Sequence, residues 1–191
     1  MGKIFYLMGK SSSGKDTIFK ELSELRTLVP YTTRPIRAGE RDGVEYHFTD
    51  EEGFQKYAES GKVIEQREYH TFHGLWRYFT VDDGQFAPEE PCNYIMIGTL
   101  EAYRNIQKYF GAEKVLPVLI ELDDGIRLQR ALDRERQQEE PGYEEMCRRF
   151  LADSEDFSEE KLREAGITRR FQNDDLDRCI AEIREYIRQQ Q

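Results

Sequence analysis

Nine consecutive residues, Gly9-Lys10-Ser11-Ser12-Ser13-Gly14-Lys15-Asp16-Thr17, have the types and spacing to handle a phosphate chain. They follow a short apolar run, Ile4 to Met8, and open a stretch of helical periodicity, so G-x-x-x-x-G-K stands in a strand–loop–helix setting. The two glycines let the backbone wrap tightly. Successive N–H groups then converge on an anion at the positive end of the helix. Lys15 would reach the β- and γ-phosphates of a nucleoside triphosphate. The lysine is usually followed by a hydroxyl residue that holds Mg²⁺. Here Asp16 follows, with Thr17 behind it, so the carboxylate would hold the ion or one of its waters while Thr17 takes the phosphate contacts.

Other charged clusters suit the same chemistry. Arg34 and Arg37 carry planar forks matched to a phosphate, and Pro35 and Gly39 would shape the loop between them. Arg130 and Arg134, four apart, share one helix face. Glu135, Glu139 and Glu140 lie close by, so a solvated ion-paired face is the plain alternative there. Cys92, Cys147 and Cys179 have no metal-ligand or C-x-x-C spacing and read as reduced thiols. His70 and His73 lack the further ligands that a zinc site needs.

The elements that must position these groups alternate along the chain. Ile4–Met8, Tyr94–Ile97 and Val115–Leu122 are apolar strand candidates, and Leu100 to Tyr109 is a helical stretch between the last two. Ile18, Leu22 and Leu25 form one apolar face after the loop. Leu176, Ile180, Ile183 and Ile187 form another near the end. This β-α-β order predicts a parallel sheet covered on both faces, with ligands beyond the carboxyl ends of its strands. Two segments break the pattern. Residues 31–86 hold β-like runs at Val44–Phe48, Val63–Tyr69 and Arg77–Val81, with Thr49 and Glu52 spaced as a capping box. Residues 124–160 are charged and helical, broken at Pro141-Gly142, with few apolar residues to bury. The predicted plan is therefore core over 1–30, a monophosphate-binding insert over 31–86, core over 87–123, a lid over 124–160 and core over 161–191. Two polar flaps on such a core suit a kinase that closes over its substrates to exclude water.

Composition bounds the rest. A formal net charge of −10 over 191 residues argues against a nucleic-acid partner. No apolar stretch is long enough to span a membrane and no signal-peptide pattern is seen, so the expected compartment is the cytoplasm.

The run Thr32-Thr33-Arg34-Pro35-Ile36-Arg37-Ala38-Gly39-Glu40-Arg41-Asp42-Gly43-Val44-Glu45-Tyr46-His47-Phe48 resembles the guanylate kinase pattern T-T-R-x-x-R-x-G-E-x-x-G-x-x-Y-x-F at every defined letter. Gly61-Lys62-Val63-Ile64-Glu65 and Asn173-Asp174-Asp175-Leu176-Asp177 resemble two further segments of that family. The resemblance implies an α/β fold, a P-loop NTPase three-layer α/β/α parallel sheet with a small β-containing insert and a helical lid. It also implies Mg²⁺-dependent transfer of the ATP γ-phosphate to GMP or dGMP. Carried over residue by residue, Gly9, Lys10, Ser11, Ser12, Ser13, Gly14, Lys15, Asp16, Thr17 and Asn173 would bind ATP. Arg34, Arg37, Tyr46, Glu65 and His73 would bind GMP, with Glu65 reading the guanine N1–H and amino group. Lys15, Arg130, Arg134 and Arg149 would be the catalytic cations, with Arg148 the rival to Arg149, and Asp16 would serve the metal.

Departures from the pattern keep other readings open. Met96 and Gly98 stand where guanylate kinases show the acids of D-x-D-x-Q-G, and Leu75 stands where they show Ser or Thr. The Gly-Lys-Asp-Thr ending and the missing acids resemble ribose 1,5-bisphosphate phosphokinases on the same fold, although those lack the full arginine-loop pattern. A non-catalytic guanylate-kinase-like module that binds phosphopeptides is the reading of a different class, but such modules have lost the lysine loop that is intact here.

Overall fold

The structure, a computed structural model, describes residues 2–71 and 74–190. In chain order the elements are β1 (Ile4–Met8), α1 (Lys15–Glu21), β2 (Arg26–Thr27), β3 (Tyr31–Thr32), β4 (His47–Phe48), α2 (Glu51–Glu59), β5 (Val63–Thr71), β6 (Gly74–Val81), β7 (Tyr94–Ile97) and α3 (Leu100–Phe110). They continue with β8 (Val115–Glu121), α4 (Asp124–Arg136), α5 (Tyr143–Asp156), α6 (Glu159–Glu164), β9 (Arg170–Gln172) and α7 (Leu176–Gln189).

Five strands form a parallel sheet in the order β2-β7-β1-β8-β9. All five residues of β1 are buried, which is why this strand reads as a continuous apolar run rather than an alternation. Ile4, Tyr6 and Met8 pack on one face with Leu100, Tyr103 and Ile106 of α3 and Leu162 of α6. Phe5 and Leu7 pack on the other with Ile18 of α1 and Ile180, Ile183 and Ile187 of α7. This is the three-layer arrangement expected for a P-loop NTPase fold. Because β1 lies between β7 and β8, its carboxyl end opens into the crevice where such sheets bind ligands.

A second sheet, β4-β3-β6-β5, is drawn from the segment between β2 and β7. Its own small core is Tyr31, Phe54, Phe79 and Val81, with Tyr31 stacked on Phe79 at 5.4 Å between ring centroids. The two longest strands, β5 and β6, pair antiparallel as far as Thr71 and Gly74.

Some expectations need correcting. Of Val44–Phe48, His47 and Phe48 alone lie in a strand, because Gly43 donates its N–H to the Tyr46 carbonyl and turns the chain just before it. The α2 helix is capped by Asp50, whose side chain accepts from the Gly53 N–H, and the Thr49 N–H is spent on the Thr32 carbonyl. Helix α1 ends at Glu21, so Leu25 is buried from the following turn rather than from the helix. Leu176 is 38 % exposed at the start of α7 and does not join the core stripe that Ile180, Ile183 and Ile187 make.

Candidate active site

Gly9 follows β1 directly, and Gly14 caps α1 with φ 88°, a left-handed conformation that favours glycine at this turn. Ser12 holds φ 61°, the one positive φ among the described non-glycine residues. The loop thus stores backbone strain where a ligand would dock. Ser12 Oγ, Ser13 Oγ and Asn173 Oδ1 are buried with no hydrogen-bond partner among the described residues. Unsatisfied buried polar atoms cost on the order of 1–3 kcal/mol each, so three together mark a place built for a partner. Asn173, just after β9, donates from Nδ2 to the Ser13 carbonyl at 2.7 Å and so braces the loop from behind. Lys15 Nζ is 3.7 Å from the Asp16 carboxylate, which is itself largely exposed.

A cavity of about 420 Å³ opens on this side, lined by Ser12, Gly14, Asp16, Thr17, Arg130, Arg134, Asn173 and Leu176. Arg130 and Arg134, four apart on α4, both face it, as their spacing requires. A second cavity of about 360 Å³ lies between the loop and α5. Ser11, Ser12, Arg37, Arg134 and Arg149 are among its walls, and Arg148 is not. Ser12 and Arg134 belong to both cavities, so the two spaces meet at the phosphate loop. Arg37 and Arg149 are exposed, and Arg149 Nε donates to Glu145 at 2.9 Å.

Two residues that the sequence does not single out, Arg127 on α4 and Asp153 on α5, hold the loop to these helices. Arg127 is 1 % exposed and donates to the Ser11 carbonyl at 2.9 Å and to Asp153 at 3.0 Å. Asp153 in turn accepts the Ser11 N–H at 2.7 Å. Lys10, expected at the phosphates, is instead 3.3 Å from Asp124. No sequence pattern flags Asp153. Arg127 sits one turn before Arg130, and only its burial sets it apart from the surface arginines around it.

In the insert, Arg34 is 3 % exposed and grips Glu40 with both terminal nitrogens, at 3.0 and 2.8 Å, while Nε donates to the Tyr78 hydroxyl at 3.1 Å. Hydrogen bonding to Arg34 holds the Glu40 carboxyl below the usual range. Burial works against the Arg34 charge, but Glu40 and Tyr78 outweigh it and raise its pKa. The Tyr46 ring lies 5.7 Å from the Arg34 guanidinium. Glu65 is fully enclosed: a register shift after Val63 sets it opposite Thr80, whose hydroxyl donates to it at 2.8 Å, and Arg67 Nε donates at 3.1 Å. Each carboxylate oxygen keeps a lone pair for a further donor. His73 falls outside the described residues. Arg67 could have been found from sequence, since it lies two residues beyond Glu65 on a strand and therefore on the same face.

Gly98, one of the two positions without the expected acid, lies against the Tyr6 hydroxyl. Any side chain there would collide with it. Burial pushes the Tyr6 phenol far up. The other position, Met96, is 3 % exposed and belongs to the core.

A parallel sheet with helices on both faces and a glycine loop braced at the carboxyl end of its central strand is the arrangement of the P-loop NTPase fold. Residues 1–75 match the family model described as guanylate kinase. The chain is 32 % identical over 123 residues to a guanylate kinase of Chlorobaculum tepidum, covering 62 % of this chain and 61 % of that one. It is 25 % identical over 187 residues to one of Paraburkholderia xenovorans, covering 95 % and 77 %. The crystal structure of guanylate kinase from Anaplasma phagocytophilum has the same fold, with a TM-score of 0.66 at 19 % identity over all of this chain and 87 % of that one. The chain is thus similar to guanylate kinases, by family model over its first 75 residues, and spans about three fifths of the length of the Chlorobaculum tepidum relative.

Proposed function

We propose that this chain is a guanylate-kinase-like phosphotransferase, moving the γ-phosphate of ATP to GMP or dGMP. One observation carries the reading: the donor-side cavity and the cavity reached by Arg37 share Ser12 and Arg134. A phosphoryl group passing between them would never leave a cationic wall. Phosphoryl transfer asks for in-line positioning and charge stabilisation more than covalent help.

In this reading the loop from Gly9 to Thr17 cradles the donor phosphates and Lys15 follows the charge as it migrates. Arg134 and Arg130 face the donor side, and Arg149, once it leaves Glu145, closes on the transferring group. Arg34, already fixed by Glu40, and Arg37, free to move, grip the acceptor phosphate with the Tyr46 hydroxyl. Glu65 reads the base. Mg²⁺ brought with ATP would neutralise phosphate charge and so favour the transfer. Asp16 fits it as an exposed single carboxylate at the donor cavity, since Mg²⁺ commonly takes one or two carboxylates besides phosphate and water. We place the reaction in the cytoplasm. Three free cysteines support that compartment, and no helix among the described residues is long and apolar enough to cross a membrane.

The test is ADP release measured with GMP, dGMP, AMP, UMP and ribose-phosphate acceptors in turn. The expected result is turnover with the two guanine nucleotides at least tenfold faster than with the others. Turnover of a pentose bisphosphate with none of GMP would replace the guanine assignment by the sugar-phosphate one. ATP binding with no acceptor turned over would leave a binding module.

A further inference from the structure

We propose that Arg67 is a specificity-determining residue of the acceptor site, donating to O6 of a 6-oxopurine while Glu65 beside it accepts from N1–H and the amino group. The inference rests on the guanylate-kinase reading above and assigns a base contact to a residue outside the family pattern.

The first argument is position. Arg67 extends from β5 of the insert, and one terminal nitrogen, Nη1, reaches the Thr99 hydroxyl of the core at 3.3 Å. Its charge is felt both by Tyr46 in the insert and by Tyr6 in the core. The guanidinium therefore lies in the gap between the two units, where an acceptor held by Arg34 and Arg37 would extend its base.

The second argument is unused donors. A guanidinium has five N–H groups. Nε is spent on Glu65, and Nη1 gives one N–H to Thr99. The remaining N–H groups on Nη1 and Nη2 have no partner among the described residues. The side chain is 14 % exposed, which leaves those donors a narrow outlet.

The third argument is charge. Arg67 and Glu65 form an ion pair at 3.1 Å, so together they suit a neutral dipolar edge better than a second phosphate. A carboxylate beside a guanidinium presents acceptors next to donors. Guanine offers the complement, with an acceptor at O6 next to donors at N1 and N2, and arginine is a common partner of guanine O6. Adenine reverses the order at these atoms and would set its N1 lone pair against a carboxylate. The side chains at positions 96 and 98 do not cancel the arginine, for Met96 is apolar and the space beside Gly98 is filled by the Tyr6 hydroxyl.

The experiment compares kcat/KM for GMP, inosine monophosphate and 6-thioguanosine monophosphate in the wild type and in Arg67→Met. Sulfur is a weak acceptor, so the wild type should prefer GMP over the thio analogue by about tenfold or more. In Arg67→Met, GMP should fall by about that factor, inosine monophosphate should fall with it because it keeps O6, and the thio analogue should hardly change. The GMP-to-thio ratio then approaches one. Should Arg67→Met fold poorly, Arg67→Gln, which can still donate to Glu65, must show the same collapse. If all three acceptors fall equally and the ratio survives, Arg67 only props Glu65 and the inference is overturned; unchanged GMP turnover overturns it too. A wild type that turns over no GMP sinks the acceptor reading and this inference together. A GMP-active wild type whose ratio ignores Arg67 sinks this inference alone.

Discussion

Around the phosphate loop, polar atoms are held in place and left without partners; in the insert, polar groups are partnered with one another. Ser12 Oγ, Ser13 Oγ and Asn173 Oδ1 are buried and unsatisfied. Arg34 is locked to Glu40, Glu65 to Thr80 and Arg67, and Arg77 to Glu51 and Glu68. The loop thus keeps buried polar atoms unpaired and bears the strain, as Ser12 shows with its positive φ. The insert satisfies its own charges, which lets a small four-stranded unit stand on a core of few aromatic residues. Ligand binding should accordingly relieve the donor side, whereas in the insert a ligand must add to bonds already made. Substitutions around the phosphate loop should cost activity, and those of the buried, mutually paired charges of the insert should cost stability first.

The largest effect tests the donor half. Lys15→Met should lower turnover by at least about 10²–10³-fold, since an electrostatic contact that matters most in the transition state is lost. Its thermal midpoint should stay near that of the wild type, because among the described residues the Lys15 ammonium has one weak ion pair, to exposed Asp16. Near-normal ADP release would remove the phosphate-loop assignment.

Arg34 and Arg37 divide the comparison within the insert. Arg34→Met breaks a buried, two-pronged ion pair and should destabilise the protein by about 3 kcal/mol, read by urea unfolding. Arg37→Met removes an exposed guanidinium and should change stability by less than about 0.5 kcal/mol, while raising KM for GMP about tenfold or more. Equal stability losses from the two would erase the distinction drawn here between locked and free arginines.

A subtler test concerns the junction of the two units. Gly98→Asp drives a side chain into the Tyr6 hydroxyl and should cost about 1–3 kcal/mol by overpacking. Combined with Tyr6→Leu, which clears the space, the same change should cost less than the two single losses added together. Strict additivity in the double-mutant cycle would show that Tyr6 is not what holds position 98 to glycine.

Much of this layout was legible in the sequence where backbone chemistry forces the residue. The G-x-x-x-x-G-K spacing, the buried run Ile4–Met8 and the α7 stripe from Ile180 each follow from a turn, a strand buried on both faces or a helix period. The arginine loop was legible as a pattern, but not that Arg34 is sealed against Glu40 while Arg37 stays open, because burial of a surface-type residue leaves no local signature. Arg127 and Asp153 were missed for the same reason: the loop residue that both of them hold, Ser11, is more than a hundred residues away from each. Tyr6 was counted as apolar, and the role of its hydroxyl depends on a glycine 92 positions later that only the β1–β7 pairing brings near. Thr49 lost the capping position to Asp50 because its backbone was already committed to β3.

The smallest effect expected lies on α5, where exposed charges pair within one helix. Arg148, followed by Arg149, holds the Glu145 carboxyl down to about 2. A carboxyl whose folded pKa is depressed stabilises the fold above its unfolded value, and that stability drains away as pH falls through the folded one. The window is therefore roughly pH 4.5 down to 2. Because the Glu145 side chain is 51 % exposed, water and salt screen the pair, and the whole contribution should be a few tenths of a kcal/mol. Glu145→Gln should thus lower the thermal midpoint by no more than about a degree or two at neutral pH and low salt. The gap from the wild type should narrow as pH is brought towards 3, and 1 M salt should largely remove it. A gap that widens in acid, or one that ignores salt, would mean that Glu145 is held by more than its two helix partners and that the two halves differ less than their contacts suggest.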